Sequence, residues 1–301
     1  MAARTEHLFL IIGRAGITSS GRILTKALVM ASTLLLGGCS GLFFFPDQTV
    51  YITPDRLNLT FDDVYIDTPD GERLHGWWLP AKAGDEDLEG TVYYLHGNAQ
   101  NISSHLLNVA WLPERGYNVF LLDYRGFGQS TGSPDIDGAL HDVETGMRWL
   151  TTHHKGPYVL LGQSLGGGLG IMLASEWTRR GEQPPLSAVI IDSSFSGFRA
   201  IAREKLDSFW LTWPFQVPLS WTIPDEFEGI DHIRNISPVP LLIVHSTRDG
   251  IIPFHNGFEL YDAASDPKDF LRTDTPHAAT FVIPAYRDKA IEFLDKALSH
   301  Q

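Results

Sequence analysis

The sequence predicts an α/β protein: a mainly parallel sheet with helices on both faces. Three observations predict it. From Val50 onward, short apolar runs alternate with longer segments of helical periodicity. Most of the short runs are apolar throughout, as strands covered on both faces are. At 301 residues and 43% hydrophobic content, the chain can bury one large core, and it contains no internal repeat or low-complexity tract.

The elements follow in order. Val64–Ile66 and Leu74–Leu79 flank an Asp70-Gly71 turn and read as an opening antiparallel pair. Buried strands are expected at Thr91–Leu95, Asn118–Asp123, Tyr158–Leu161, Ala188–Ile191, Leu241–His245 and Lys268–Leu271. Helices are expected at Ser103–Glu114, Ile136–Thr152, Leu169–Arg180, Asn256–Ala264 and Pro284–Leu298. In the last, Tyr286, Ala290, Phe293, Leu294 and Ala297 share one face. Residues 198–236 break the alternation. They are rich in aromatic residues (Phe209, Trp210, Trp213, Phe215, Trp221) and in proline (Pro214, Pro218, Pro224), and read as a small helical cap inserted between two strands.

The N-terminus has a different character. Residues 1–26 are net basic, Ala27–Leu36 is a ten-residue apolar stretch, and Leu36-Gly37-Gly38 leads into Cys39, the only cysteine. That is the order of a secretory signal. Leu36–Cys39 also resembles the lipobox of bacterial lipoproteins, which implies cleavage before Cys39, lipidation there, and a short tether over 39–49 ahead of a catalytic domain over 50–301. The competing reading is an uncleaved signal anchor, because Ala27–Phe45 is 19 mostly apolar residues, enough to span a bilayer. Both readings put the basic flank in the cytoplasm and the folded domain outside it, in the cell envelope.

Charge narrows the partners. The chain carries −13 overall. Residues 1–38 hold Arg4, Arg14, Arg22 and Lys26 against Glu6, so the remainder has 19 of the 23 basic and 35 of the 36 acidic side chains, a net −16. Such a body repels phosphate backbones, and nucleic acid is not expected as a partner.

Two segments match G-x-S-x-G: Gly128–Gly132 around Ser130 and Gly162–Gly166 around Ser164. Strand–turn–helix context separates them. Ser164 comes three residues after an apolar run and directly before Gly166–Gly168 and a helical stretch, which puts its hydroxyl on a tight turn at the positive end of a helix. Ser130 lies seven residues past its strand and precedes Ser133-Pro134-Asp135, a loop and helix cap. Ser164 is the expected nucleophile.

A serine hydroxyl needs a neutral imidazole to take its proton, and the tetrahedral intermediate needs fixed N–H donors. The backbone of Leu165 supplies one donor, and that of Asn98, after the strand Thr91–Leu95, the other. His96 beside it reads as structural, since no metal-spaced His or Cys accompanies it. His277, on the loop between the last strand and the terminal helix, is the expected base, with His255 its chief rival. Asp249, after Leu241–His245, is the expected acid, with Asp192, after Ala188–Ile191, the alternative.

Together these residues, with His96–Asn101, Asp123–Gly128 and Gly162–Gly167, resemble the α/β-hydrolase superfamily over Phe61–Leu298. The resemblance is to the branch that holds serine aminopeptidase-like, prolyl-oligopeptidase-related and acyl-protein thioesterase-like members. It implies an eight-stranded sheet with the second strand antiparallel, a triad at the carboxyl edge, no cofactor or metal, and a structural role for Asp123–Ser130. The leading expectation is hydrolysis of a carboxylic ester or thioester through an acyl-Ser164 intermediate. The second is a peptidase, in which Glu204, Asp225, Glu226 or Glu228 would hold a substrate amine. The third, a catalytically idle envelope binding protein, sits poorly with an intact Ser, Asp and His.

Overall fold

The structure is a computed structural model that describes residues 44–82, 88–207, 217, 220–221 and 223–299, all within one compact unit. The expected leader, Cys39 and the start of the tether lie outside the described residues, as do 208–216 of the cap.

Ten strands form. They are β1 (Phe45–Pro46), β2 (Asp62–Asp67), β3 (Arg73–Leu79), β4 (Gly90–Leu95), β5 (Ala99–Gln100), β6 (Tyr117–Asp123), β7 (Tyr158–Gln163), β8 (Leu186–Asp192), β9 (Leu241–Ser246) and β10 (Lys268–Thr273). Eight build the main sheet in the order β10-β9-β8-β7-β4-β6-β3-β2. Only β3 runs against the rest: it pairs antiparallel with both β2 and β6, and the other pairings are parallel. All eight expected strands are present, each longer at one or both ends; β3, β4, β6 and β9 gain a single residue.

The alternation of side chains along a strand sorts the core into two layers. Val92, Tyr94, Val119, Leu121, Val159 and Leu161 point to one face, and Tyr93, Leu95, Phe120, Leu122 and Leu160 to the other. The second face is covered by α2 (Ile136–His153) and α3 (Leu165–Arg180). The first is covered by α1 (Ile102–His105) with the turns after it and by α7 (Pro284–Leu298). Asp135 caps α2 by accepting from the Gly138 N–H at 2.8 Å. A buried ion pair fastens α2 to the loop after β6, with Arg125 Nη2 donating to Asp142 Oδ1 at 2.7 Å.

Three expectations are corrected. The helix expected over 103–114 is only the four-residue α1, followed by 3-10 turns at Leu106–Asn108 and Pro113–Arg115; Pro113, with no N–H to donate, stands where the helix would have to continue. The tether 39–49 is part of the body from Phe44 onward: Phe44 is buried against Phe127, and β1 pairs with β5. The segment 198–236 is joined to the core rather than set above it. Phe198 and Ile201 of its first helix, α4 (Phe198–Asp207), and Phe227, Ile233 and Ile236, on and beside α5 (Gly229–His232), all pack into the layer that holds α3. The remaining helix, α6 (Phe254–Ala263), falls two residues ahead of its expected start.

Candidate active site

Ser164 sits between the end of β7 and the start of α3 with φ 54° and ψ −114°, a conformation that L-residues rarely adopt. Close packing on every side makes room for that strain. A Cβ on Gly162 would lie 2.4 Å from the Gly166 carbonyl oxygen, and one on Gly166 would lie 2.1 Å from that of Leu95. The turn is held from outside as well: the Ser164 N–H donates to the Asp192 carbonyl at 2.9 Å, and Ser194 Oγ donates to the Ser164 carbonyl at 2.9 Å. Ser130, by contrast, is spent on architecture. Its buried hydroxyl donates to the Asp123 carbonyl at 2.7 Å and accepts the His75 N–H at 2.8 Å.

His277 lies on the loop between β10 and α7 and faces Ser164, with Nε2 3.0 Å from Ser164 Oγ. Its Nδ1 is 2.7 Å from Asp249 Oδ2. A carboxylate can only accept, so Nδ1 carries the hydrogen and Nε2 is left to accept from the serine. Asp249 stands in the loop after β9, where its other oxygen accepts the N–H groups of Ile251 and Ile252, both at 2.8 Å. Burial pushes the Asp249 carboxyl up, but His277 and the two amides outweigh it and hold it below the ordinary carboxylate range. Asp192 is fully buried and committed elsewhere, accepting from Gln163 Nε2, Thr280 Oγ1 and Ser193 Oγ at 2.9, 2.9 and 3.1 Å. Burial raises its carboxyl.

Leu165 follows the serine directly, and the loop that holds Asn98 packs beside it. Leu165 is the first residue of α3, so its N–H has no acceptor within the helix. The loop after β4 lies against the elbow: a Cβ on Gly97 would be 3.6 Å from Ser164 Cβ, and the Gly166 N–H donates to the His96 carbonyl at 3.0 Å. Asn98, next in this loop, is braced by the Phe45 N–H, which donates to its Oδ1 at 3.0 Å. His96 is fully buried beneath, stacked on Tyr124 at 4.4 Å, and burial lowers its pKa to about 3. His255 sits out on the surface against Glu204 at 3.0 Å.

One residue at the heart of the arrangement is absent from the sequence reading. Gln163, the residue before the nucleophile, is buried and uses both ends of its amide. Nε2 donates to Asp192 Oδ2 at 2.9 Å and to the Ala278 carbonyl, next to His277, at 3.2 Å. Oε1 accepts from Tyr94 Oη at 2.9 Å and Asn108 Nδ2 at 3.0 Å. The signal for it was a polar side chain at the last position of an otherwise apolar strand, where burial demands partners.

A serine, an imidazole and a carboxylate in this line can carry an acyl group through a covalent intermediate. The serine aminopeptidase S33 family matches over residues 86–226. The alpha/beta hydrolase domain-containing protein WAV2 of Arabidopsis thaliana is 28% identical over 246 residues, 74% of this chain and 77% of its own. The chain belongs to the α/β-hydrolase superfamily. Among relatives of this hydrolase, the uncharacterized protein YfhR of Escherichia coli K12 is 35% identical over 268 residues, 86% of this chain and 88% of that one. The mouse lysophosphatidylserine lipase ABHD12 is 31% identical over 212 residues, 64% of this chain and 52% of that one. Among solved structures, the Pyrococcus furiosus esterase Pf2001 superposes on the hydrolase with a TM-score of 0.65 at 25% identity, covering 84% of this chain and 97% of its own.

Proposed function

We propose that the hydrolase cleaves carboxylic esters or thioesters through an acyl-Ser164 intermediate, with His277 as general base and acid and Asp249 as the residue that orients it. The observation that carries this reading is the chain of contacts from Asp249 Oδ2 through His277 to Ser164 Oγ, at 2.7 and 3.0 Å. Ser164 Oγ attacks the acyl carbon while its proton passes to His277 Nε2. Asp249 stabilises the imidazolium, and the N–H groups of Asn98 and Leu165 receive the oxyanion. Collapse of the tetrahedral intermediate breaks the bond to the alcohol or thiol, which takes the proton back from His277. A water, deprotonated by His277, then attacks the acyl-serine; the acid leaves and Ser164 regains its proton.

An ester or thioester is favoured over a peptide because the carboxylates offered for a substrate amine are otherwise engaged or turned outward. Glu204 pairs with His255, Glu228 accepts the Arg199 N–H at 2.6 Å, and Asp225 and Glu226 are exposed. The esterase and lipase named among the similar proteins agree with that preference. We further propose that the N-terminus attaches the enzyme to a membrane, through lipid on Cys39 or through the apolar stretch itself, with the catalytic domain outside the cytoplasm. Among the described residues no helix is long and apolar enough to cross a membrane.

Fluorophosphonate labelling tests the nucleophile. Label should be lost in Ser164→Ala and kept in Ser130→Ala, and equal loss in both would sink the assignment. A panel of acyl esters, thioesters and aminoacyl amides then separates esterase from peptidase, and a flat response across it would favour a binding role.

A further inference from the structure

The described chain begins beside the oxyanion loop. Phe45 donates its N–H to Asn98 Oδ1, and Phe45–Pro46 pairs with Ala99–Gln100. Five peptide steps separate Phe44 from Cys39, a reach of at most ~18 Å. If Cys39 is lipidated, Asn98 therefore lies within about that distance of the lipid; if the stretch from Ala27 spans the bilayer, it lies closer still.

The same side of the molecule is apolar where water would otherwise meet it. Phe45, Val50, Tyr51, Leu107, Val282 and Ile283 are each 42–63% exposed. They are neighbours in space. The Tyr51 N–H donates to Ser103 Oγ at 2.9 Å, at the start of the helix that leads to Leu107. The Leu106–Asn108 turn packs against the Thr280–Val282 turn, which follows His277 on the base loop. The rim thus joins the oxyanion side of Ser164 to the base side. With a net charge of −16 on the chain after residue 38, attraction to anionic headgroups does not explain such a rim, whereas apolar contact with a bilayer does.

We infer that this rim rests on the lipid surface, so that the mouth of the site opens onto the bilayer and takes acyl chains directly from it. The preferred substrate is then an amphiphilic ester with a long acyl chain. The docking half of this inference rests on the proposed N-terminal attachment, and the substrate half on the acyl-hydrolase reading.

Two measurements on the full chain in phosphatidylcholine vesicles test the halves separately. With a photoactivatable phosphatidylcholine present, label should map to peptides holding 45–51, 105–108 and 280–283, and not to those around Phe258, an exposed apolar residue on α6. Label spread evenly, or absent from the rim because a second copy or another protein covers it, would overturn the docking. In the second measurement, Leu107→Asp combined with Val282→Asp and Ile283→Asp should lower hydrolysis of a vesicle-borne long-chain ester at least tenfold while leaving a water-soluble acetate ester within twofold. Equal rates on both esters, or an equal fall on both in a variant that still melts cooperatively, would overturn the substrate preference. Rim label in a protein whose Ser164→Ala variant hydrolyses as fast as the parent would refute the acyl-Ser164 reading and leave the docking standing.

Discussion

Asp192 and Asp249 both stand at the end of a strand near the base loop, and hydrogen bonding assigns them different work. Asp249 meets His277, whereas Asp192 meets Gln163, Thr280 and Ser193. Asp249→Asn should leave the fold intact and lower kcat by roughly 10⁴-fold, because the amide favours the wrong imidazole tautomer. Asp192→Asn should do the reverse, lowering the melting temperature while kcat stays within tenfold. Steady-state kinetics and a thermal melt on the two variants check the pair. The depressed Asp249 carboxyl also keeps its charge well into acid, so its contribution to stability is present above about pH 4 and is lost only as pH falls through its lower folded value. The sequence favoured Asp249 and kept Asp192 as the alternative, since both satisfy the Ser, Asp, His order; the contact that brings Asp249 to His277 spans 28 residues and has no local signature. The choice between Ser130 and Ser164 was legible, because strand-to-helix spacing is a local property.

Among the elements, the turn from β7 into α3 governs the site. The sequence placed the helix start at Leu169, since a run of glycines argues against a helix; in the structure it begins at Leu165. Gly166 and Gly167 accept that cost because neighbours leave no room for a side chain: the Leu95 carbonyl stands over one and Ser194 over the other. Gly166→Ala would push the elbow off the end of β4. A displacement of about 1 Å is enough to lower kcat some 100-fold. Circular dichroism should still show the parent's helix content, and a variant with parent-like kcat would refute the close fit. The short β1–β5 ladder was missed for the opposite reason: two residues carry no periodicity, and the pairing joins positions 54 apart.

Across the whole molecule, the six inner strands of the main sheet were legible because nearly every residue in them is buried and they spell largely apolar runs, whereas the edge strands β2 and β10 bury only two residues and one. The packing of 198–236 into the core was not legible, because the residues that join it at Phe227–Ile236 are spaced irregularly along short turns. Burial on this scale also sets a pH dependence. His96 is held neutral, with Asp123 Oδ1 3.4 Å from its Nε2, Tyr124 stacked on it and the His105 ring 5.5 Å away. The unfolded chain takes up a proton below pH 6.5 that the folded chain refuses until about pH 3. Relative to a His96→Gln variant, the wild type should therefore lose about 1.4 kcal/mol of stability per pH unit over that window. Urea denaturation of both proteins at pH 7 and pH 5 measures the difference, and a constant gap would show that His96 titrates normally. Gln163 has a consequence of another sort. One amide clasps the floor of the nucleophile turn and the backbone beside the base, so neither can drift without dragging the other. Natural variation in substrate preference among relatives that keep this glutamine should accordingly accumulate in the cap and the apolar rim, with the reaction centre inherited as a single block.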